Sequence, residues 1–231
     1  MLTLYPGADR GRTQLAWLDS RHTFSFGDYH DPSRHNFRAL RVINDDRIAA
    51  SGGFGSHPHR DMEIITYVMS GQLEHQDSMG HGEIIHAGEW QAMHAGTGLY
   101  HSEFNPSADE SVHLLQIWLF PDRRGYEPGY QQKRFDGASS GPWRLIASRD
   151  GRDGSLVVHQ DAELVLAKLE AGQKANYALP PSRGLFLHVA TGAARVNGHS
   201  LVAGDGLAME DESKIVVETA APGELLLFDL A

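Results

Sequence analysis

The sequence contains no cysteine. Disulfides, thiolate metal sites and cysteine nucleophiles are therefore excluded. No apolar run is long enough to span a bilayer, and residues 1–7 show no basic region leading into an apolar stretch of the secretory type. A cytoplasmic address is the expectation that follows, with no membrane as partner. Positive charge is in the minority: 20 Lys and Arg stand against 30 Asp and Glu, a formal net charge of −10. Nucleic acid and anionic lipid would both repel such a chain, so no direct nucleic-acid contact is expected. Helical periodicity is scarce too. No long stretch keeps an apolar repeat near 3.6 residues, so helices should be few and short.

What is present is strand and turn. The 231 residues, 41% of them apolar, suffice for one large domain or two modest ones. Short runs rich in Ile, Val, Thr and aromatics alternate with Gly-rich turns every eight to twelve residues, the spacing of an all-β sandwich or barrel. Residues 40–48 suggest two strands joined through an Asn44-Asp45-Asp46 turn. From 121 to 142 the composition shifts to Asp, Arg, Gly, Pro and Ser, which marks a connection. Beyond it the first half is replayed. Residues 186–192 resemble 65–71, 203–209 resemble 87–93, and 225–230 fall where 114–119 fell. A duplicated β-barrel unit follows, divided into an N-terminal domain, 1–135, and a C-terminal domain, 136–231.

Two dyads carry the chemistry. In a strand, residues i and i+2 point the same way, so His57 and His59 share a face, as do His101 and Glu103. Lying opposite each other, the two strands would bring three imidazoles and a carboxylate to one point, a donor set suited to a divalent transition metal. With 14 histidines in the chain a single His-x-His means little; two dyads of matching parity mean more. Glu63 has the parity of His57 and His59 but lies four residues beyond His59. That displacement suits a group that orients a ligand or water, and the blander reading is a salt bridge to Arg60. His22, His30 and His35 have no partner two residues on and are read as structural or exposed. In the second copy Val217 and Thr219 replace His101 and Glu103, residues 178–182 stand where the histidine pair should be, and His159, His188 and His199 are unpaired. Any metal should sit in the first half alone.

The spacings His57-x-His59-x3-Glu63 and Gly98-x2-His101-x3-Asn105 are similar to the two cupin motifs. With His22-Thr23-Phe24-Ser25-Phe26, Gly55-Ser56-His57-Pro58-His59 and His94-Ala95-Gly96-Thr97-Gly98, the chain resembles the pirin branch of the bicupins over nearly its whole length. The resemblance implies two tandem cupin barrels and a metal held by His57, His59, His101 and Glu103. Glu63 corresponds to the carboxylate ligand of the general cupin motif. It further implies one divalent transition metal per chain, Fe(II) foremost, with Zn, Ni, Cu, Co or Mn as alternatives. The implied activity is quercetin 2,3-dioxygenation, in which a flavonol and O2 react with release of CO and Glu103 or Glu63 takes the hydroxyl proton. The alternatives are a non-enzymatic regulatory role with a protein partner, or another cupin reaction on a different small molecule.

Overall fold

The computed structural model describes residues 1–136 and 141–231. Residues 137–140, within the connection read from composition, lie outside the described residues. The first half supplies β1 (Leu2–Tyr5), β2 (Gly11–Gln14), β3 (Leu18–His22), β4 (Leu40–Ile48), β5 (Gly53–His59), β6 (Glu63–Ser70), β7 (Gln72–Asp77), β8 (Gly82–His86), β9 (Glu89–His94), β10 (Leu99–Phe104), β11 (Val112–Leu119) and β12 (Gly129–Arg134). The second supplies β13 (Arg144–Ser148), β14 (Leu156–Val157), β15 (Ala162–Leu169), β16 (Lys174–Ala178), β17 (Gly184–Val189), β18 (Ala193–Val196), β19 (His199–Val202), β20 (Gly206–Met209), β21 (Lys214–Ala221) and β22 (Gly223–Leu230). Two short 3-10 turns are the helical content of the described residues. The expected all-β, two-barrel architecture is what the chain adopts.

Each barrel is a seven-stranded sheet facing a four-stranded one. In the first, the order β12-β9-β6-β11-β4-β3-β2 faces β5-β10-β7-β8; in the second, β1-β20-β17-β22-β15-β13-β14 faces β16-β21-β18-β19. The sheets do not part the chain at a single point, because β1 pairs with β20. Strand alternation then sorts the side chains. Ile65 and Tyr67 of β6, Leu115 and Ile117 of β11, and Trp90 and Ala92 of β9 share one core with Leu164, Leu166, Phe186, Leu226 and Phe228. The two large sheets therefore pack back to back. Residues one step away along the same strands turn into the barrels: Ile64 and Met93 into the first, Leu185, Leu187 and Leu227 into the second.

Residues 40–48 form one strand, β4, and not the expected pair. The sequence looks like a turn because Asn and Asp favour turns, yet Asn44 and Asp45 are held by tertiary partners and Asp46 is buried in the barrel. Asn44 points into the first barrel, where its Oδ1 lies 2.8 Å from Nδ1 of His22. Asp45 points the other way, to Arg10 and His113. Asp46 returns to the barrel side and is buried.

Candidate metal centre

The first barrel brings the dyads together through its register. In the small sheet β10 lies between β5 and β7, with His101 directly opposite His57 on one side and Asp77 on the other. Between His101 and Glu103 the β5 pairing slips by one residue, so Glu103 stands opposite Phe54. Such a bulge re-aims side chains beside a site. Across β7, Glu103 faces His75. Ligand atoms of His57, His59 and His101 all lie within 4.8 Å of one another, and those of His75, His101 and Glu103 form a second such group. The structure thus joins three of the four expected ligands directly, and places Glu103 beside His101 together with His75, a residue the sequence reading did not single out.

Burial shapes the protonation of these groups. It pushes the His101 imidazole down to about 3, with further lowering from His57 and His75. Burial, then His101 and His57, bring His59 down to about 4. Both rings are neutral at pH 7 and offer lone pairs, the form a metal requires. Their tautomers can be traced. The Gly55 carbonyl, 2.8 Å from Nδ1 of His57, accepts its proton and leaves Nε2 bare. Asp77 faces the opposing pull of burial, but hydrogen bonds from His81, His75 and the Met79 amide hold its carboxyl below the ordinary range. Its Oδ2 accepts from Nε2 of His75 at 3.3 Å. The bare Nδ1 of His75 receives Gln91 at 3.3 Å and Nδ1–H of His101 at 3.4 Å. His101 is left with a bare Nε2 as well, 2.9 Å from that of His57.

Two lone pairs that close, with no proton to share, call for a cation between them. Cis ligands at the usual metal–nitrogen distance of about 2.0–2.1 Å stand about 3 Å apart. Glu103 adds a second sign. Its Oε2 accepts from Gln116 at 2.9 Å, while Oε1 is buried without a hydrogen-bond partner, a state that costs about 1–3 kcal/mol unless something satisfies it. The donor set present here fits one divalent transition metal.

Beside these groups opens a cavity of about 450 Å³. His57, His59 and Glu103 line it together with Leu15, Trp17, Phe26, Phe54 and Trp118. Trp118 sets its ring edge-on to His59 at 5.0 Å and to Phe26 at 5.4 Å. Opposite in character are Ser20, His22, Asn44 and Asp46 from β3 and β4. Asp46 is missing from the sequence reading because its stretch looks like a turn.

Glu63 is placed elsewhere. Asp61 adopts a left-handed φ of 50° between β5 and β6, so strand parity does not carry from His59 to Glu63. The Glu63 carboxylate lies on the outer face of the large sheet with Ile65 and Tyr67. There it pairs with Nδ1 of His94 at 2.5 Å and takes the backbone N–H and Nδ1 of His159 at 3.1 and 3.2 Å. Its ion-pair partners among the described residues are these two histidines, and Arg60 is not one of them. His159 belongs to the second half, and its ring stacks on Tyr126 at 3.8 Å. His94 in turn receives Gln131 at 2.9 Å. This third His-and-carboxylate group is a hydrogen-bonded clasp between the barrels. His22, read as structural, bonds Asn44 and Thr13. His30 and His35 contact each other edge-on at 4.9 Å.

Two family models match the chain, one described as Pirin over residues 7–119 and one described as the quercetinase C-terminal cupin domain over 145–230. A quercetin 2,3-dioxygenase of Escherichia coli strain K12 is 48% identical over 230 residues, covering 100% of this chain and 99% of the relative. A pirin-like protein of Caulobacter vibrioides is 42% identical over 227 residues, 97% and 95% of the two chains. Among solved structures, the bacterial pirin YhhW from Escherichia coli in complex with nickel(II) superposes with a TM-score of 0.95 at 47% identity, covering 100% of this chain and 99% of that one.

Proposed function

Since the chain belongs to the pirin family, we propose that it is a quercetinase-like enzyme, a dioxygenase that uses one divalent transition metal and O2 to open a flavonol, with release of CO. The observation that carries this reading is the cavity of about 450 Å³ whose lining includes His57, His59 and Glu103. Its size and its aromatic walls suit a flat, largely apolar ligand with a few polar anchors. In this reading His57, His59, His101 and Glu103 hold the metal. When bound, the metal supplies Lewis-acid chemistry, lowering the pKa of a coordinated hydroxyl.

The chain's own residues do the rest. Gly55 and the His75–Asp77 pair fix which ring nitrogens of His57 and His101 are bare. Gln116 orients Glu103. Trp118 holds the His59 ring and, with Trp17, Phe26 and Phe54, offers aromatic surface against which flavonol rings can lie and from which water is excluded. Glu63, assigned by sequence as a helper at the metal, belongs instead to the clasp with His94 and His159. Fe(II) remains the first candidate by resemblance; nickel is the ion named for the relative above. Three imidazoles and a carboxylate discriminate weakly among Fe, Co, Ni, Cu and Zn, so supply can decide what is found bound.

Oxygen uptake and CO release are to be followed with quercetin and metal-loaded protein. Stoichiometric consumption of O2 and appearance of CO are expected, both absent from the His57→Ala, His101→Ala double variant. Metal-loaded protein that leaves quercetin unchanged would overturn the assignment and favour the non-enzymatic alternative.

A further inference from the structure

Two buried carboxylates and the exposed Asp28 line the cavity beside the metal cluster, and only one of the buried pair is accounted for. Glu103 has Oε2 on Gln116 and an open Oε1 for the metal. Asp46 is a second buried acid with a free oxygen, for its Oδ1 is also without a hydrogen-bond partner. Its neighbours on that wall are wired to one another. Asn44 bonds His22, and His22 bonds Thr13. Ser20, across β3, reaches Asp46 and satisfies part of it. What is left on that wall is one buried acceptor, in a cavity that Leu15, Trp17, Phe26, Phe54 and Trp118 also line.

We infer that Asp46 is the specificity-determining residue of this cavity, accepting through its carboxylate a hydrogen bond from a hydroxyl of a polyhydroxylated aromatic ligand. The inference rests on the flavonol reading above and names the group that tells a hydroxylated ring from a bare one. An apolar pocket alone cannot make that distinction strongly, whereas a buried polar group left unpaired by the wrong ligand can. Burial, opposed by the Ser20 hydrogen bond and reinforced by Glu103 and Asp45, raises its pKa to about 7. Near neutrality the carboxyl is then not locked in its charged form, and a hydroxyl partner relieves its burial. No covalent step is assigned to it.

The test is a cycle over protein and ligand. Binding of quercetin and of flavone, which has no hydroxyl, is measured by tryptophan fluorescence quenching on metal-loaded wild type, Asp46→Asn and Asp46→Ala, with metal content and thermal midpoint recorded for each. The wild type should prefer quercetin. Above pH 7, where the carboxyl is mostly ionised, Asp46→Ala should reduce that preference by about ten- to a hundredfold, the range of a hydrogen bond to an ionised group, with flavone binding and metal content unchanged. Asp46→Asn, which keeps an acceptor, should fall between. Both variants should melt at or above the wild-type temperature, since a buried acid with an unmet oxygen is removed. An unaltered preference in Asp46→Ala, or a wild type with no preference, overturns the inference. If quercetin binds with this dependence on Asp46 but is not turned over, the inference stands and the dioxygenase reading falls.

Discussion

In β10 of the first barrel His101 stands opposite His57 and beside Asp77, whereas in β21 of the second Val217 stands opposite Ala175 and beside Val196. One step along, Glu103 faces His75 where Thr219 faces Ala194. The position equivalent to His57 is thus Ala175 in β16, slightly ahead of the 178–182 stretch suggested by the sequence repeat. The strand orders match, yet one interior holds imidazoles and carboxylates and the other is closed with Leu, Val, Ile and Ala. Thr219 turns its hydroxyl to the carbonyls of Glu170 and Gln173. Each Leu or Val buried there contributes about 1.5–3 kcal/mol, while the first barrel's inner row of polar groups must be hydrogen-bonded or liganded to break even. One barrel is thus a hydrocarbon-filled support, and the other carries a cavity and a cluster of candidate metal ligands.

That division can be broken by exchanging what each interior tolerates. Leu187 in the second core and Thr66 in the first occupy corresponding places in β17 and β6. Leu187→Ala should destabilise by about 2–5 kcal/mol through its cavity, read from the denaturant midpoint. Thr66→Val should cost nothing or stabilise, because the Thr66 hydroxyl is buried without a partner. An equal loss in both would erase the contrast.

His188 provides a pH-dependent contrast. It is wholly buried on the back of β17 with both ring nitrogens unpartnered. Burial first, then Arg10, lower it to about 4 against the pull of Asp45 and Asp205. The unfolded ring protonates near 6.5, the folded ring only near 4. Its contribution is therefore intact above pH 6.5 and is lost as pH falls between those values, on the order of 3 kcal/mol at 1.36 kcal/mol per unit. His188→Leu should flatten the stability curve in that window; a curve unchanged in slope would assign the acid sensitivity elsewhere.

Smaller effects are expected around the ligands. His75→Ala or Asp77→Asn should weaken metal binding by about 10–100-fold, measured by chelator competition, because His101 then loses the acceptor that fixes its tautomer. Affinity equal to wild type would mean that His101 is oriented without them. The smallest effect at the metal should come from Glu63→Gln. It loosens the clasp with His94 and His159, at a cost of about 1–3 kcal/mol in stability, while metal content and quercetin turnover stay at wild-type levels. A loss of metal would return Glu63 to the centre.

What could be read from the sequence follows from where local rules hold. Strand parity grouped His57 with His59 and His101 with Glu103 because each dyad lies within one strand, and the repeated segments revealed the two barrels because a core must be filled the same way twice. Parity failed at Glu63, since the left-handed Asp61 interrupts the strand between it and His59. His75 and Asp77 lie in a short strand that the sequence does not single out, and only the register of β7 against β10 shows that they back the histidine cluster. Asp46 was hidden by turn-like neighbours whose partners, His22, Arg10 and His113, are remote in sequence.

Metal stoichiometry tests the central claim, that the first barrel alone binds a metal and does so through the β5 and β10 histidines. Elemental analysis of purified, metal-loaded protein should give one ion per chain for the wild type and none for the His57→Ala, His101→Ala double variant. Two ions per chain, or a double variant that keeps its full complement, would contradict it.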